Sequence, residues 1–255
     1  MKFRPWMIAA LGLGTLVGWT LPPAARRYKV DVKTTQVVNL AALGQGEQRV
    51  EIASTGFVSI TSVDSAGGQA VTVVLDSLQV AEGSPIPPDQ AKAAAGATWT
   101  GYREPSGRVK DLKLTQDNAV ASAMEGVLQQ LFPPLRSGTG AGKTWTDTIE
   151  TQRAGSIAVR TVTNFQTTSD SYNGQKVLKL AGASSSSISG SQEGPQGTVQ
   201  FEGTGTATSA WFLGTDGTCL GSTYSGSQSL HLTVAAAPEP LPLTITIEGT
   251  ASLLK

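Results

Sequence analysis

Residues 243–254 read Leu243-Thr244-Ile245-Thr246-Ile247-Glu248-Gly249-Thr250-Ala251-Ser252-Leu253-Leu254. Leu243, Ile245, Ile247, Ala251 and Leu253 alternate with Thr244, Thr246, Glu248, Thr250 and Ser252. That period of two belongs to a strand with one buried and one wet face, so the segment closes one face of a core. Working outward, the same rhythm sets Tyr28, Val30 and Val32 against Lys29, Asp31 and Lys33. It sets Val50, Ile52, Val58 and Ile60 against Glu51, Ser59 and Thr61. Gln69 to Val80, nearly continuous in apolar residues around Val71, Val73, Val74 and Leu75, predicts a central strand. Thr98 to Arg103 and Arg108 to Leu114 predict two shorter strands joined by a turn at Ser106-Gly107. The second half predicts strands at Thr144 to Gln152, Ser156 to Phe165, Gln175 to Ser189, Thr198 to Phe212, Leu220 to Val234 and Leu243 to Leu254. Asn173-Gly174, Glu193-Gly194-Pro195, Asp216-Gly217 and the 237–240 stretch mark turns between them.

One segment breaks the rhythm. Asn118 to Phe132 carries Val120, Met124, Val127, Leu128 and Leu131 at helical spacing, with Ser122, Glu125, Gln129 and Gln130 opposite. Asp117 or Asn118 caps its start, and Pro133-Pro134 stops it. The stripe is either a core helix or one wall of an apolar pocket. With hairpin-length connections, about eleven strands favour antiparallel pairing. The expected fold is mainly β, with long antiparallel strands forming a curved sheet or half-barrel around one amphipathic helix, preceded by an N-terminal apolar helix. Residues 1–27 form the N-terminal segment and 28–255 the β domain, with residues 138–142 the most plausible seam within it.

Composition narrows the function. The 255 residues include 30 Thr, 24 Ser and 29 Gly, a bias toward strands and turns. Nineteen Lys and Arg balance nineteen Asp and Glu, so the basic footprint of a nucleic-acid binder is missing. One cysteine and one histidine leave no intrachain disulfide and no His-rich metal set. No cofactor is expected.

Lys2 and Arg4 precede a charge-free stretch containing Trp6, Ile8, Leu11, Leu13, Leu16, Val17, Trp19 and Leu21. As a membrane anchor, Trp6 to Leu21 spans 16 residues, near the lower limit for crossing the hydrocarbon core, with tryptophans at the interfaces. As a cleaved signal it would end near Ala25, after an unhelpful proline pair. Either reading exports the rest of the chain. The first holds the domain at the periplasmic side of a bacterial inner membrane, and the second releases it into the periplasm.

Leu131-Phe132-Pro133-Pro134-Leu135, followed by Gly142-Lys143-Thr144-Trp145-Thr146-Asp147-Thr148, resembles a pattern in uncharacterised exported bacterial β-proteins, in which a helix ends in Phe-Pro and a glycine-led turn opens a Trp-containing strand. That resemblance implies export and carries no known activity. The order of long strands, one helix and more long strands is loosely similar to the half-barrel of periplasmic lipoprotein carriers. This likeness implies an architecture and carries no motif residue.

Chemical motifs are weak. The run from Ser137 to Thr144 nearly matches a phosphate-binding loop, yet Ser137 replaces its first glycine and a strand follows where a helix is required. His231 lies on the polar side of its strand, with Ser227, Ser229 and Thr233, and lacks the flanking acid and nucleophile of a triad. Cys219 has no neighbouring cation in sequence to activate its thiolate. Ser252 and Lys255 match a Ser-x-x-Lys spacing inside a strand, a chance occurrence. Asp31, Glu51, Glu202 and Glu248 are scattered along strands. The small positions Gly203, Gly205, Ala207 and Ser209 mark either close packing of another surface, where a partner or ligand would approach, or a thin, partly open sheet ending in a plain hairpin. The reading is a non-enzymatic envelope protein. It is either a tethered accessory subunit docked on an integral membrane protein assembly, or a carrier for a lipid or other hydrophobic ligand.

Overall fold

The computed structural model describes residues 25–136, 138–153, 156–194, 197–235 and 237–254. The apolar stretch from Trp6 to Leu21 lies outside them. Strands β1 Arg26–Asn39, β2 Glu47–Ser65, β3 Gly68–Val80, β4 Thr98–Arg103 and β5 Val109–Leu114 form the first half. Strands β6 Thr144–Arg153, β7 Ile157–Tyr172, β8 Gln175–Gly194, β9 Gly197–Leu213, β10 Cys219–Thr233 and β11 Leu241–Leu253 form the second. All eleven join one antiparallel sheet in the order β5-β4-β3-β2-β1-β11-β10-β9-β8-β7-β6. Each half is a meander, and the halves meet where β1 pairs with β11, Val30 opposite Ala251. The hairpin joining β7 to β8 turns on Asn173 and Gly174, both at positive φ (50° and 78°), the backbone that a two-residue turn needs to match strand twist.

The sheet is strongly curved. Nine strands separate β5 from β6, so a flat sheet would hold these edges roughly 48 Å apart at about 4.8 Å per strand. Instead Arg108, at the entrance to β5, forms an ion pair with Asp147 of β6. Two side chains cannot span a flat sheet, so the edges curl toward each other. No ladder joins β5 to β6 among the described residues, and the sheet is an open half-barrel.

Helix α1 Pro88–Ala93 and helix α2 Ala119–Gln129 pack inside the curve. The core they share gathers Val30, Val58, Val71, Val73, Leu75, Trp99, Ala121 and Leu128. Asn118 caps α2, its Oδ1 accepting from Ala121 N at 2.9 Å. The regular helix ends at Gln129 rather than Phe132. Gln130, Leu131 and Phe132 tighten onto carbonyls three residues back, because the prolines at 133 and 134 offer no N–H to continue the ladder. A second cluster joins Phe165, Leu180, Trp211, Leu213 and Cys219. Trp211 links the two clusters, its Nε1–H donating to Gln130 O at 2.6 Å. The stretch from Gly138 to Gly142 leads into β6 and is held against β7. Thr167 Oγ1 donates to Gly140 O, and Gly142 N donates to Thr167 O, fastening the loop to β7.

Candidate functional site: an uncharged inner channel

Strands β6 to β11, with β1 and β2, continue well beyond the packed helices. β8 has 20 residues and β2 has 19, about three times the usual strand length. Register fixes which side chains face inward there. One transverse row runs Ile52, Thr34, Ile247, Gly226, Ala207, Ser184, Thr163 and Asp147. The next runs Val50, Gln36, Ile245, Gln228, Gly205, Ser186, Thr161 and Ile149. Most of these residues are half-buried or buried, while their outward neighbours Thr204, Thr206, Thr208, Ser225, Ser227 and Ser229 are exposed. Among the described residues no helix covers these rows; the curvature of the sheet alone shelters them.

Charge is segregated with the same alternation. Of the sixteen inward positions in the two rows, one is charged, Asp147, and Arg108 neutralises it. Lys33, Glu51, Arg160, Glu202, His231 and Glu248 all fall on the outward set, and Lys33 pairs there with Glu51 at 2.9 Å. The lining is therefore aliphatic on β2 and β11, small on β8 and β9, and hydroxylated on β7 and β8. Thr163 Oγ1 and Ser184 Oγ share a hydrogen bond of 2.8 Å within it. Farther along, Ile188, Leu230 and Leu241 are buried again. A side chain at Gly203 would collide with Leu230 and the Ser229 carbonyl, so the missing side chain permits the tight coil of β8 to β10.

The outward face accounts for the composition. Ser185, Thr206, Ser227, Thr246 and Thr35 lie side by side across five strands. Exposed strand positions favour residues that are both β-forming and polar. Two open depressions also lie on this face. One of about 760 Å³ is bordered by Thr146, Gln166, Ala181, Ala183, Thr208 and Ser225, and one of about 450 Å³ by Asp31, Lys33, Thr55, Gln79 and Glu248. Both sets alternate with the inward residues, which places the depressions on the outer saddle.

The helical stripe singled out from sequence sits in the core. Leu128 is fully buried, Met124 and Leu131 nearly so, and Val120 and Val127 pack partly buried against the cluster. The anchor residues Trp6, Ile8, Leu11, Leu13, Leu16, Val17, Trp19 and Leu21 lie outside the described residues. Among the described residues no helix is long and apolar enough to cross a membrane. Nor do any three His, Cys, Asp or Glu gather as they would around a metal. His231 is exposed on the outer face between Glu202 and Pro242. Cys219 is buried, and burial pushes its thiol up to about 12. Lys143 is exposed in the turn that leads into β6. Sequence reasoning missed the Arg108–Asp147 closure; nothing short of the strand order brings residues 39 positions apart to one seam.

No known protein family and no curated protein matches the chain. Among solved structures it is distantly similar to DynF from the dynemicin biosynthesis pathway of Micromonospora chersina, at 13% identity, covering 99% of this chain and 94% of that one with a TM-score of 0.25. It is also distantly similar to a mutant porin of Rh. blastica, at 9% identity, covering 91% of this chain and 100% of that one with a TM-score of 0.26. Likenesses this distant assign no family and transfer no activity.

Proposed function

We propose that the chain is a non-enzymatic protein of the bacterial cell envelope that carries a lipid or other apolar ligand in its inner channel. The segregation of charge supports this reading. In the two transverse rows, across eight strands, the neutralised Asp147 is the one charged residue on the inward set. Sheltered, uncharged lining with a few hydroxyls suits a ligand that is mostly hydrocarbon. Export by residues 6–21 would put the channel where envelope lipids pass. One observation favours a second reading, a tethered accessory subunit of a membrane assembly. The outer edge of β6, ten residues long, carries no strand partner among the described residues, and Ile149 on it is 41% exposed, a ready place for another chain to add a strand.

Full-length protein extracted from membranes in a mild neutral detergent tests both. Intact mass and organic-solvent extraction should find about one apolar molecule per chain. A stoichiometric protein partner with no extracted lipid would replace the carrier by the subunit. Protein free of both would refute each reading.

A further inference from the structure

Ladders join each strand to the next all the way from β5 round to β6, but among the described residues none closes the seam between these two end strands. Side chains cross it instead. Arg108, at the entrance to β5, forms an ion pair with Asp147 of β6. Arg136 donates from Nη2 to Thr146 O at 3.2 Å, and its guanidinium lies 5.8 Å from the centroid of the Trp145 ring. Arg136 ends a strap, residues 131–136, that runs on from α2. Leu131, Phe132 and Pro133 of the strap are buried. A side chain at Gly107 would strike Pro133 O, so the strap lies against the turn between β4 and β5. Two arginines fixed on the β5 side thus hold β6, and among the described residues no other hydrogen bond or ion pair runs from β5 or the strap to that strand.

The seam adjoins the channel directly. Asp147 stands in the first channel row, with Thr163 beside it on β7 and Ser184 next on β8. Thr163 is buried although only one strand separates it from the seam. Toward one end of the strands the channel meets the packed clusters, and toward the other Ile188, Leu230 and Leu241 are buried. The ion pair is more open, its side chains 33% and 24% exposed. A pair so placed is weak and screened by salt, whereas parting any other two neighbouring strands must break a backbone ladder. The half-barrel therefore opens most easily between β5 and β6.

We propose that the β5–β6 seam is the entrance to the channel, a side gate latched by Arg108 and Asp147 through which the apolar ligand passes. The inference rests on the carrier reading. A latch that re-forms behind the ligand sets the rates of entry and exit together and leaves affinity nearly unchanged. The test uses the full chain in lipid nanodiscs, with empty nanodiscs as the blank. Thr163→Cys reports on the seam through its alkylation by iodoacetamide, a small neutral reagent, and Cys219, buried in the second core cluster, is the internal control; peptide masses separate the two positions. In that background Asp147→Asn and Arg108→Gln should each speed labelling at position 163 by about ten-fold or more, as for loss of a charge-assisted hydrogen bond, with Cys219 unchanged. The reversed pair, Arg108→Asp with Asp147→Arg, should restore slow labelling. Sodium chloride at about 1 M, where the screening length is about 3 Å, should speed labelling when the pair is intact and leave both single variants as they are. Without the reporter, N-phenyl-1-naphthylamine should bind and leave both single variants about ten-fold faster or more, at a dissociation constant within about two-fold of wild type. Labelling at position 163 indifferent to both variants, or equal acceleration at position 163 and Cys219, would overturn the gate. Wild type that binds no dye would refute the carrier reading and the entrance with it. Wild type that binds dye at rates neither variant changes would refute the entrance alone.

Discussion

Replacing Trp211 by phenylalanine separates the two core clusters with little change elsewhere. The indole is 5% exposed and donates to Gln130 O at 2.6 Å. Phenylalanine keeps most of the apolar contact with Phe165 but removes the donor, leaving the carbonyl just past α2 without its partner. A lost neutral hydrogen bond costs about 0.5–1.5 kcal/mol net, and a stranded buried acceptor about 1–3 kcal/mol. The carbonyl is only part-buried, so the lower half of that range applies and Trp211→Phe should cost about 2 kcal/mol. For a chain of this size that is a fall in Tm of roughly 4–8 °C. Trp145→Phe is the matched control. Trp145 is half-exposed, and its stacking on Phe165, with centroids 5.2 Å apart, survives the change, so it should cost below about 1 kcal/mol. Urea unfolding monitored by circular dichroism measures both. Equal losses for the two variants, or a Trp211→Phe loss under about 0.5 kcal/mol, would refute the claim that this hydrogen bond ties helix to sheet.

Leu128→Ala should destabilise by about 2–5 kcal/mol, since the side chain is fully buried between α2 and the sheet. Val63→Ala, at 54% exposure, should stay within about 0.5 kcal/mol in the same urea series. Alkali supplies a third check. The Cys219 thiol rises from 9.0 to about 12 on folding, so its contribution is complete below the unfolded value and is lost as pH climbs from about 9 toward 12. Tyr28, raised chiefly by burial, acts in the same direction from pH about 10 upward. Urea midpoints should therefore fall between pH 8.5 and 10.5, and Cys219→Ala should flatten the early part of that fall; a midpoint constant with pH would contradict the burial of both groups.

Local pattern made much of the fold legible. Alternation at Tyr28-Lys29-Val30-Asp31-Val32 and at Leu243 to Leu253 named the inward side of both central strands. The stripe from Val120 to Leu131 marked the helix that fills the curve. Helix α1 escaped because six residues, Pro88–Ala93, are too few to show a helical period. Strand order escaped for a different reason: pairing β1 with β11 depends on contacts more than 200 residues apart, such as Val30 with Ala251. The channel was half-legible. Gly203, Gly205, Ala207 and Ser209 drew notice as small positions, but register was needed to align Gly205 and Ala207 with Ile245 and Ile247 and to place Glu202 and Glu248 on the opposite face.

The most direct test of the channel is to fill it. Ala207 faces inward beside Gly226, with Ser184 on its other side, and its neighbour Thr206 faces outward between Ser185 and Ser227. Ala207→Trp and Thr206→Trp therefore place the same bulk on opposite faces of one strand. Full-length protein is titrated with the neutral apolar fluorophore N-phenyl-1-naphthylamine, and the bound fraction is read from its emission. Wild type and Thr206→Trp should bind alike, while Ala207→Trp should bind at least ten-fold more weakly with its unfolding transition still cooperative. Equal binding by all three proteins would contradict an apolar ligand site inside the half-barrel.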